Sequence, residues 1–179
     1  MTELKKPKIT FCDNNPDVVN SLREAFSAES NVYFVEGNIL DYARDTIFSP
    51  ANSLGFMDGG VDHDYVRFFG IKIQNSVKEV FAARPEGFVP VGAAELVLTG
   101  HETIPRLILA PTMFEPMVIP SYNIFRSFRA ALKKYRKLGL EGEIFTPGFG
   151  TGIGHVSAED AAKMMLMAYQ SVFQHNEAE

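Results

Sequence analysis

Two glycine-rich stretches hold the residues best suited to chemistry. The first, Pro147-Gly-Phe-Gly-Thr-Gly-Ile-Gly-His155, carries four glycines at alternate positions between an expected strand and an expected helix. Such a loop can turn several backbone N–H groups toward one anion, aided by the positive end of the helix that follows. That is the chemistry of a phosphate cradle. It is not a Walker A loop, which needs Lys before Ser or Thr, and its glycines do not follow the dinucleotide-binding G-x-G-x-x-G spacing. The second stretch, Ser49-Pro-Ala-Asn-Ser-Leu-Gly-Phe-Met-Asp-Gly-Gly-Val-Asp-His-Asp64, again joins a strand to a helix start through Gly55, Gly59 and Gly60. In open α/β sheets, loops that leave the C-terminal ends of strands meet at the ligand crevice, so two such loops predict one bisphosphate or dinucleotide-like ligand.

Taken singly, the polar residues of these loops have plainer readings. Asn52 is a turn former, and Asp62 in the first turn of a helix suits dipole compensation or capping. Asp62-His63-Asp64 has the composition of a metal site, but adjacent side chains on a helix diverge, and no metal is expected. Cys12 lies inside an expected strand and reads as a small core residue rather than a nucleophile, and there is no G-x-S-x-G elbow. His63, His101, His155 and His175 share no spacing that demands a common site.

The elements that must position these loops follow from periodicity. A strand over residues 8–13 stops at Asn14-Asn15-Pro16, and Val18, Leu22, Ala25 and Phe26 predict a helix over 16–28. Strand character returns at 32–35 and at 46–49, the latter running into a loop at Pro50. Helical spacing over 62–83 is interrupted by Gly70, which predicts a kink or two shorter helices. Strands at 93–98 and 107–110 precede an amphipathic helix over 121–138, whose basic face is read as solvated and which Gly139 ends. A strand at 143–146, the loop 147–156 and a helix from Ser157 to about Phe173 complete the chain. Ser157 and Asp160 have the spacing of a capping box. Strands alternating with helices predict a layered α/β domain with crossover helices and no internal repeat.

Composition narrows the partners. The chain has 179 residues, 46% hydrophobic and 22% charged, which suits one domain with a full core rather than a disordered chain. One cysteine permits neither an internal disulfide nor a thiolate metal cage and fits a reducing compartment. No stretch has the length and apolarity of a membrane span, so a cytoplasmic location is expected. A net charge of −5 is the wrong sign for binding a phosphate backbone non-specifically, so direct nucleic-acid binding is not expected.

Four motifs, in order, resemble those of the macro domain family. Val35-Glu-Gly-Asn-Ile39 is similar to its G-D-I, Ser49-Pro-Ala-Asn-Ser53 to N-A-A-N-S, and Asp58-Gly-Gly-Val-Asp62 to G-G-G-V-D. Gly148-Phe-Gly-Thr-Gly-Ile-Gly154 is similar to S-T-G-I-[YF]-G. Gly92 to Gly100 and Leu107 to Thr112 fall where the family has its middle strands, so the likeness covers about residues 8–173 of one domain, 1–179; this variant looks most like a bacterial and phage branch. The resemblance implies a three-layer α/β/α sandwich with a mixed, mostly parallel central sheet, an ADP-ribose ligand or ADP-ribosylated macromolecule as partner, and no cofactor. It implies that Gly59, Gly60 and Val61, with Gly150, Thr151, Gly152, Ile153 and Gly154, grip the pyrophosphate and distal ribose. Asn38 and Ile39 fall at the adenine motif, and Ala51 is carried over as a further binding position. Asn52 and Asp62 keep the separation of the two residues that flank the distal ribose in hydrolytic members. Asp62 would orient or deprotonate water, and Asn52 would hydrogen-bond the ribose.

The implied activity is hydrolysis of an ADP-ribose derivative, with a non-catalytic binding module or an ADP-ribose 1''-phosphate phosphatase as alternatives. The chain departs from the pattern in three places. Asn38 stands for the family's adenine-binding Asp, and Gly154 stands where many hydrolytic members have Tyr or Phe, so that either Phe56 or Phe149 replaces that ring or the distal ribose is held more loosely. Ser49-Pro50 replaces Asn-Ala, a change expected to alter loop shape more than chemistry.

Overall fold

The protein is described here by a computed structural model over residues 5–174. In chain order the elements are β1 (Ile9–Asp13), α1 (Pro16–Ala25), β2 (Val32–Glu36), α2 (Ile39–Tyr42), β3 (Thr46–Asn52), α3 (Gly60–Phe69), α4 (Ile71–Ala82), β4 (Glu95–Leu98), β5 (Arg106–Met113), α5 (Tyr122–Lys137), β6 (Ile144–Thr146) and α6 (Ala158–Phe173). The six strands form one sheet in the order β2-β1-β6-β3-β5-β4. All pairs are parallel except β4 with β5, so the sheet is mixed with an antiparallel edge.

Side-chain alternation along the strands builds a core on each face. Phe48, Ile108 and Ala110 turn to one side with Phe11, Phe128 and Met165, beneath α1, α5 and α6. Ile47, Leu107 and Leu109 turn to the other with Tyr65, Val77 and Phe81, beneath α3 and α4. A parallel sheet buried on both faces requires such continuous apolar strands, and β5 has them. The architecture is the expected three-layer α/β/α sandwich.

Boundaries differ from the sequence reading where tertiary pairing overrides local signals. Asn38 caps a short helix, α2, that periodicity does not reveal because it is one turn long. The helix after Pro16 ends at Ala25 rather than at residue 28. Strand β3 continues through Pro50 to Asn52, where a loop was expected. Its pairing with β6 stops at Ile47, so Pro50 lies where the strand pairs only with β5, a position that tolerates a residue lacking an N–H. Gly70, with φ 88°, separates α3 from α4.

At the N-terminal ends of the strands a polar network closes the sheet. Glu143, mostly buried, accepts from Thr10 Oγ1 at 2.6 Å and pairs with Arg44 at 2.6 Å and Lys8 at 3.1 Å. Burial pushes its pKa up, but these hydrogen bonds and charges outweigh burial and hold the carboxyl below its usual range. The C-terminal ends carry no such seal. Truncating the buried Phe128, which packs edge-on against both Phe48 and Phe149, is expected to cost about 3–5 kcal/mol in Phe128→Ala by denaturant unfolding.

Candidate functional site

A cavity of about 470 Å³ opens at the C-terminal ends of the parallel strands. Its wall takes Asp13 from the end of β1, Pro50, Ala51 and Asn52 from β3, and Met113 from β5. It is completed by residues 58–62, which lead into α3, and by the glycine loop from Pro147 to Gly154. The opening exists because β6 stops at Thr146 while β3 runs on to Asn52.

Both glycine-rich stretches therefore face one cavity, as their position after strands predicts. Among the described residues, the N–H groups of Gly150, Thr151, Gly152, Ile153 and Gly154 donate to no protein acceptor. The loop is fixed instead through its carbonyls: Gly154 O accepts from Ile119 N at 3.1 Å and Gly150 O from Val156 N at 3.0 Å. Phe149 turns inward, fully buried against Phe128, and anchors the loop to the core. It is thus unavailable as the replacement aromatic; Phe56, half-exposed on the cavity wall, is the ring present there. The tight path crowds out a side chain at three points, Gly148 among them, where a Cβ would lie 2.5 Å from Val18. Gly150 has φ 72° and a Cβ there would lie 2.8 Å from Ile124, and a Cβ on Gly154 would lie 2.7 Å from Gly150 O, so no aromatic can occupy Gly154.

The helix end that serves the cavity is not the expected one. Residues 155–158, which lead into α6, do not line it, and Ser157 Oγ is taken by Asp160 N. Helix α3 does line it: Gly60, Val61 and Asp62 are its first residues, the cap Gly59 makes no side-chain hydrogen bond, and their N–H groups lie at the positive end of the helix dipole.

Asp62 is over nine-tenths buried, and its Oδ1 accepts from Ser49 Oγ at 3.0 Å. It thus points into the fold and the cavity floor rather than capping its own helix. Burial above all drives its pKa from the ordinary 3.8 up to about 7; the Ser49 hydrogen bond opposes this and the Asp58 carboxylate adds to it. One turn on, the Tyr65 hydroxyl is completely buried with no hydrogen-bond partner, and burial followed by the Asp62 charge raises its pKa well above the usual value. His63 and Asp64 are exposed, so the Asp-His-Asp run diverges.

Asn52 does what its residue type suggests. A register shift at Ala51/Asn52 re-aims the strand end, and Asn52 Oδ1 accepts from Leu54 N and Phe56 N while Nδ2 donates to Phe56 O at 2.8 Å. One Nδ2–H remains for a ligand. Asn38 and Ile39 lie off the cavity lining: Asn38 is exposed with Oδ1 accepting from Leu40 N, and Ile39 is buried in the core beneath α3 and α4. They follow β2, the strand beside β1 and its cavity residue Asp13.

Two residues escaped the sequence reading. Asp13 joins the β1 turn to the glycine loop, accepting from Asn15 N at 2.9 Å and from Gly148 N at 3.0 Å. Ser49, part of an exchange expected to alter loop shape more than chemistry, is the partner of Asp62. A partner separated by 135 residues leaves no local signal for Asp13, whereas the Ser-for-Asn exchange already marked position 49.

A macro domain family model matches residues 48–165. An uncharacterized protein of Aquifex aeolicus (strain VF5) is 35% identical over 137 residues, 76% of this chain and 79% of that protein. The fold is similar to the macrodomain of Mycobacterium tuberculosis DarG, with a TM-score of 0.66 at 19% identity over 76% of this chain and 88% of that one. It is also similar to a mutant of the Oceanobacillus iheyensis macrodomain with ADPR, with a TM-score of 0.67 at 19% identity over 79% of this chain and 77% of that one. The chain belongs to the macro domain family.

Two outcomes test the site as built. Gly150→Ala is expected to lose about 1–3 kcal/mol of stability, while Gly152→Ala, whose added Cβ meets no atom within 4 Å, is expected to stay within about 0.5 kcal/mol, both by denaturant unfolding. Because the folded pKa of Asp62 is raised, its stabilising contribution is full below pH 4 and is lost as pH rises through about 7. Asp62→Asn is therefore expected to gain on the native protein between pH 4 and pH 8, on the order of 2–4 kcal/mol, in unfolding midpoints measured across that range.

Proposed function

We propose that the cavity binds ADP-ribose and that the protein hydrolyses a derivative of it at C1'' of the distal ribose, releasing ADP-ribose from a modified target. The observation that carries this reading is the convergence of two sets of unpartnered backbone N–H groups, at the start of α3 and along residues 150–154, beside the buried Asp62. Two backbone anion sites on one wall suit a diphosphate, and among the described residues no lysine or arginine lines the cavity to bind one otherwise.

In this reading the distal ribose lies toward Asn52 and Asp62. The free Nδ2–H of Asn52 donates to a ribose oxygen, and Asp62 orients or deprotonates the attacking water. A carboxyl titrating near 7 exchanges protons readily at neutral pH, which is what general acid–base work requires. Membership of a family whose members bind ADP-ribose supports the ligand. Three hydrogen bonds spent by Asn52 on its own loop favour a second reading, a binding module without turnover.

Titration calorimetry with ADP-ribose, AMP, ADP and NAD is the test of binding. ADP-ribose is expected to bind at least tenfold more tightly than AMP, since AMP engages only one of the two amide sets. Equal affinities would refute the two-loop site. Release of ADP-ribose from a modified protein is expected to be lost in Asp62→Ala with the fold intact by circular dichroism. Unchanged release would remove Asp62 from the chemistry, and absence of release by the native chain would leave the binding reading.

A further inference from the structure

The charged residues on the cavity wall are all acidic: Asp13, Asp58 and Asp62. They are not equivalent. Asp13 is satisfied within the fold, its two oxygens accepting from Asn15 N and Gly148 N. Asp62 is over nine-tenths buried; one oxygen takes the Ser49 hydrogen bond, and the other has no protein partner while the residue lines the cavity. Asp58 is exposed and, among the described residues, makes no side-chain hydrogen bond or ion pair. It stands where the family motif G-G-G-V-D begins with glycine, so this chain has added a carboxylate to the wall.

A diphosphate entering here brings negative charge to a wall that already carries Asp58 and Asp62, with no lysine or arginine to offset it. The backbone amides meet the diphosphate, and an exposed carboxylate beside Asp62 favours a ligand that also brings positive charge to that end of the cavity. The adjoining surface suits a planar cation. Phe56, whose backbone is pinned at both N and O by Asn52, holds a half-exposed ring on the same wall two residues from Asp58. A guanidinium can lie over such a face while donating to a carboxylate.

We propose that the conjugate this cavity takes is ADP-ribose linked to a cationic leaving group, the guanidinium of an arginine side chain, with Asp58 as the specificity-determining residue. This rests on the ADP-ribose reading above. The reaction is a hydrolysis that balances without a co-reactant. The water oxygen bonds to C1'', and the C1''–N bond breaks with its electron pair passing to nitrogen. The proton lost by water ends on that nitrogen, so the free guanidinium and ADP-ribose leave and nothing is oxidised or reduced. Asp58 holds the guanidinium in the ground state, and Asp62 serves the water as described.

The test uses the full chain, free ADP-ribose, and three synthetic peptides of one sequence carrying ADP-ribose on Arg, Glu or Ser. The arginine conjugate is expected to show the highest kcat/KM, and Asp58→Asn to lower that value about tenfold while raising affinity for free ADP-ribose a few-fold, the opposite signs expected when one carboxylate attracts a cation and repels a diphosphate. If no conjugate turns over, the ratio of Kd values is read by the same criterion. A preference for the Glu or Ser conjugate, or an equal effect of Asp58→Asn on all three, overturns the proposal. So does an Asp58 effect that appears on free ADP-ribose only with added magnesium and vanishes with chelator, which would assign the positive charge to a divalent cation on the diphosphate. If free ADP-ribose fails to bind folded protein, the ADP-ribose reading itself falls. If it binds and the arginine conjugate gains nothing, only the leaving-group assignment falls.

Discussion

The site depends on unequal strand lengths in a sheet that is buried on both faces. Strand β6 contributes only Ile144–Thr146, yet it sits between β1, which reaches Asp13, and β3, which reaches Asn52. A parallel sheet points all its C-terminal ends the same way, so an early stop in an inner strand leaves a notch on that edge rather than at random. The chain that leaves β6 must cross the notch. It does so as residues 147–156, a path so close to Val18, Ile119, Ile124 and its own carbonyls that three of its glycines leave no room for a side chain. The exposed N–H groups on that path are a consequence of the packing, because the loop's carbonyls are taken by Ile119 N and Val156 N on the inner side.

The two ends of the sheet divide the electrostatic work. At the N-terminal ends, Glu143 is enclosed by Thr10, Lys8 and Arg44, which lets a buried carboxylate remain charged. At the C-terminal ends, Asp62 has a hydroxyl for company and Asp58 as a like-charged neighbour, and its pKa moves the other way, to about 7. The contrast lies in both surroundings and neighbours: burial dominates at Asp62, whereas at Glu143 the hydrogen bonds and cations outweigh it. Stability is being given up at Asp62, a pattern that belongs to working sites more often than to scaffolding.

Backbone amides, not side-chain cations, are what this cavity offers to an anion. Dipoles of fixed orientation need no counter-charge and no side-chain ordering, so the proposed diphosphate site on the loop and the start of α3 does not conflict with a net charge of −5. In the proposed reading, this leaves the wall's carboxylates for the part of the ligand beyond the phosphates. Asn52 connects the two roles: by folding residues 54–56 around its amide it sets both the approach to α3 and the placement of Phe56.

The alternation of strands and helices, the break at Gly70, the cap at Ser157 and both anion-type loops were legible in the chain, because each rests on contacts between residues near in sequence: hydrophobic period, capping spacing and glycine conformational freedom. Motif order also identified the family and marked Asn52 and Asp62. Tertiary structure decided the rest. Which helix start lines the cavity, α3 rather than α6, depends on where strands stop. That Phe149 is an anchor and Phe56 a wall residue depends on which side of the loop meets Phe128. Asp13 acquires its role from Gly148, and Ser49 acquires its role from Asp62, through contacts that exist only after the sheet has formed. The residue types of Asp58 and Asp62 were visible from the start; what separates them, one exposed and one buried beneath Ser49, is solvent access, and no linear pattern encodes that until the two faces of the sheet are covered.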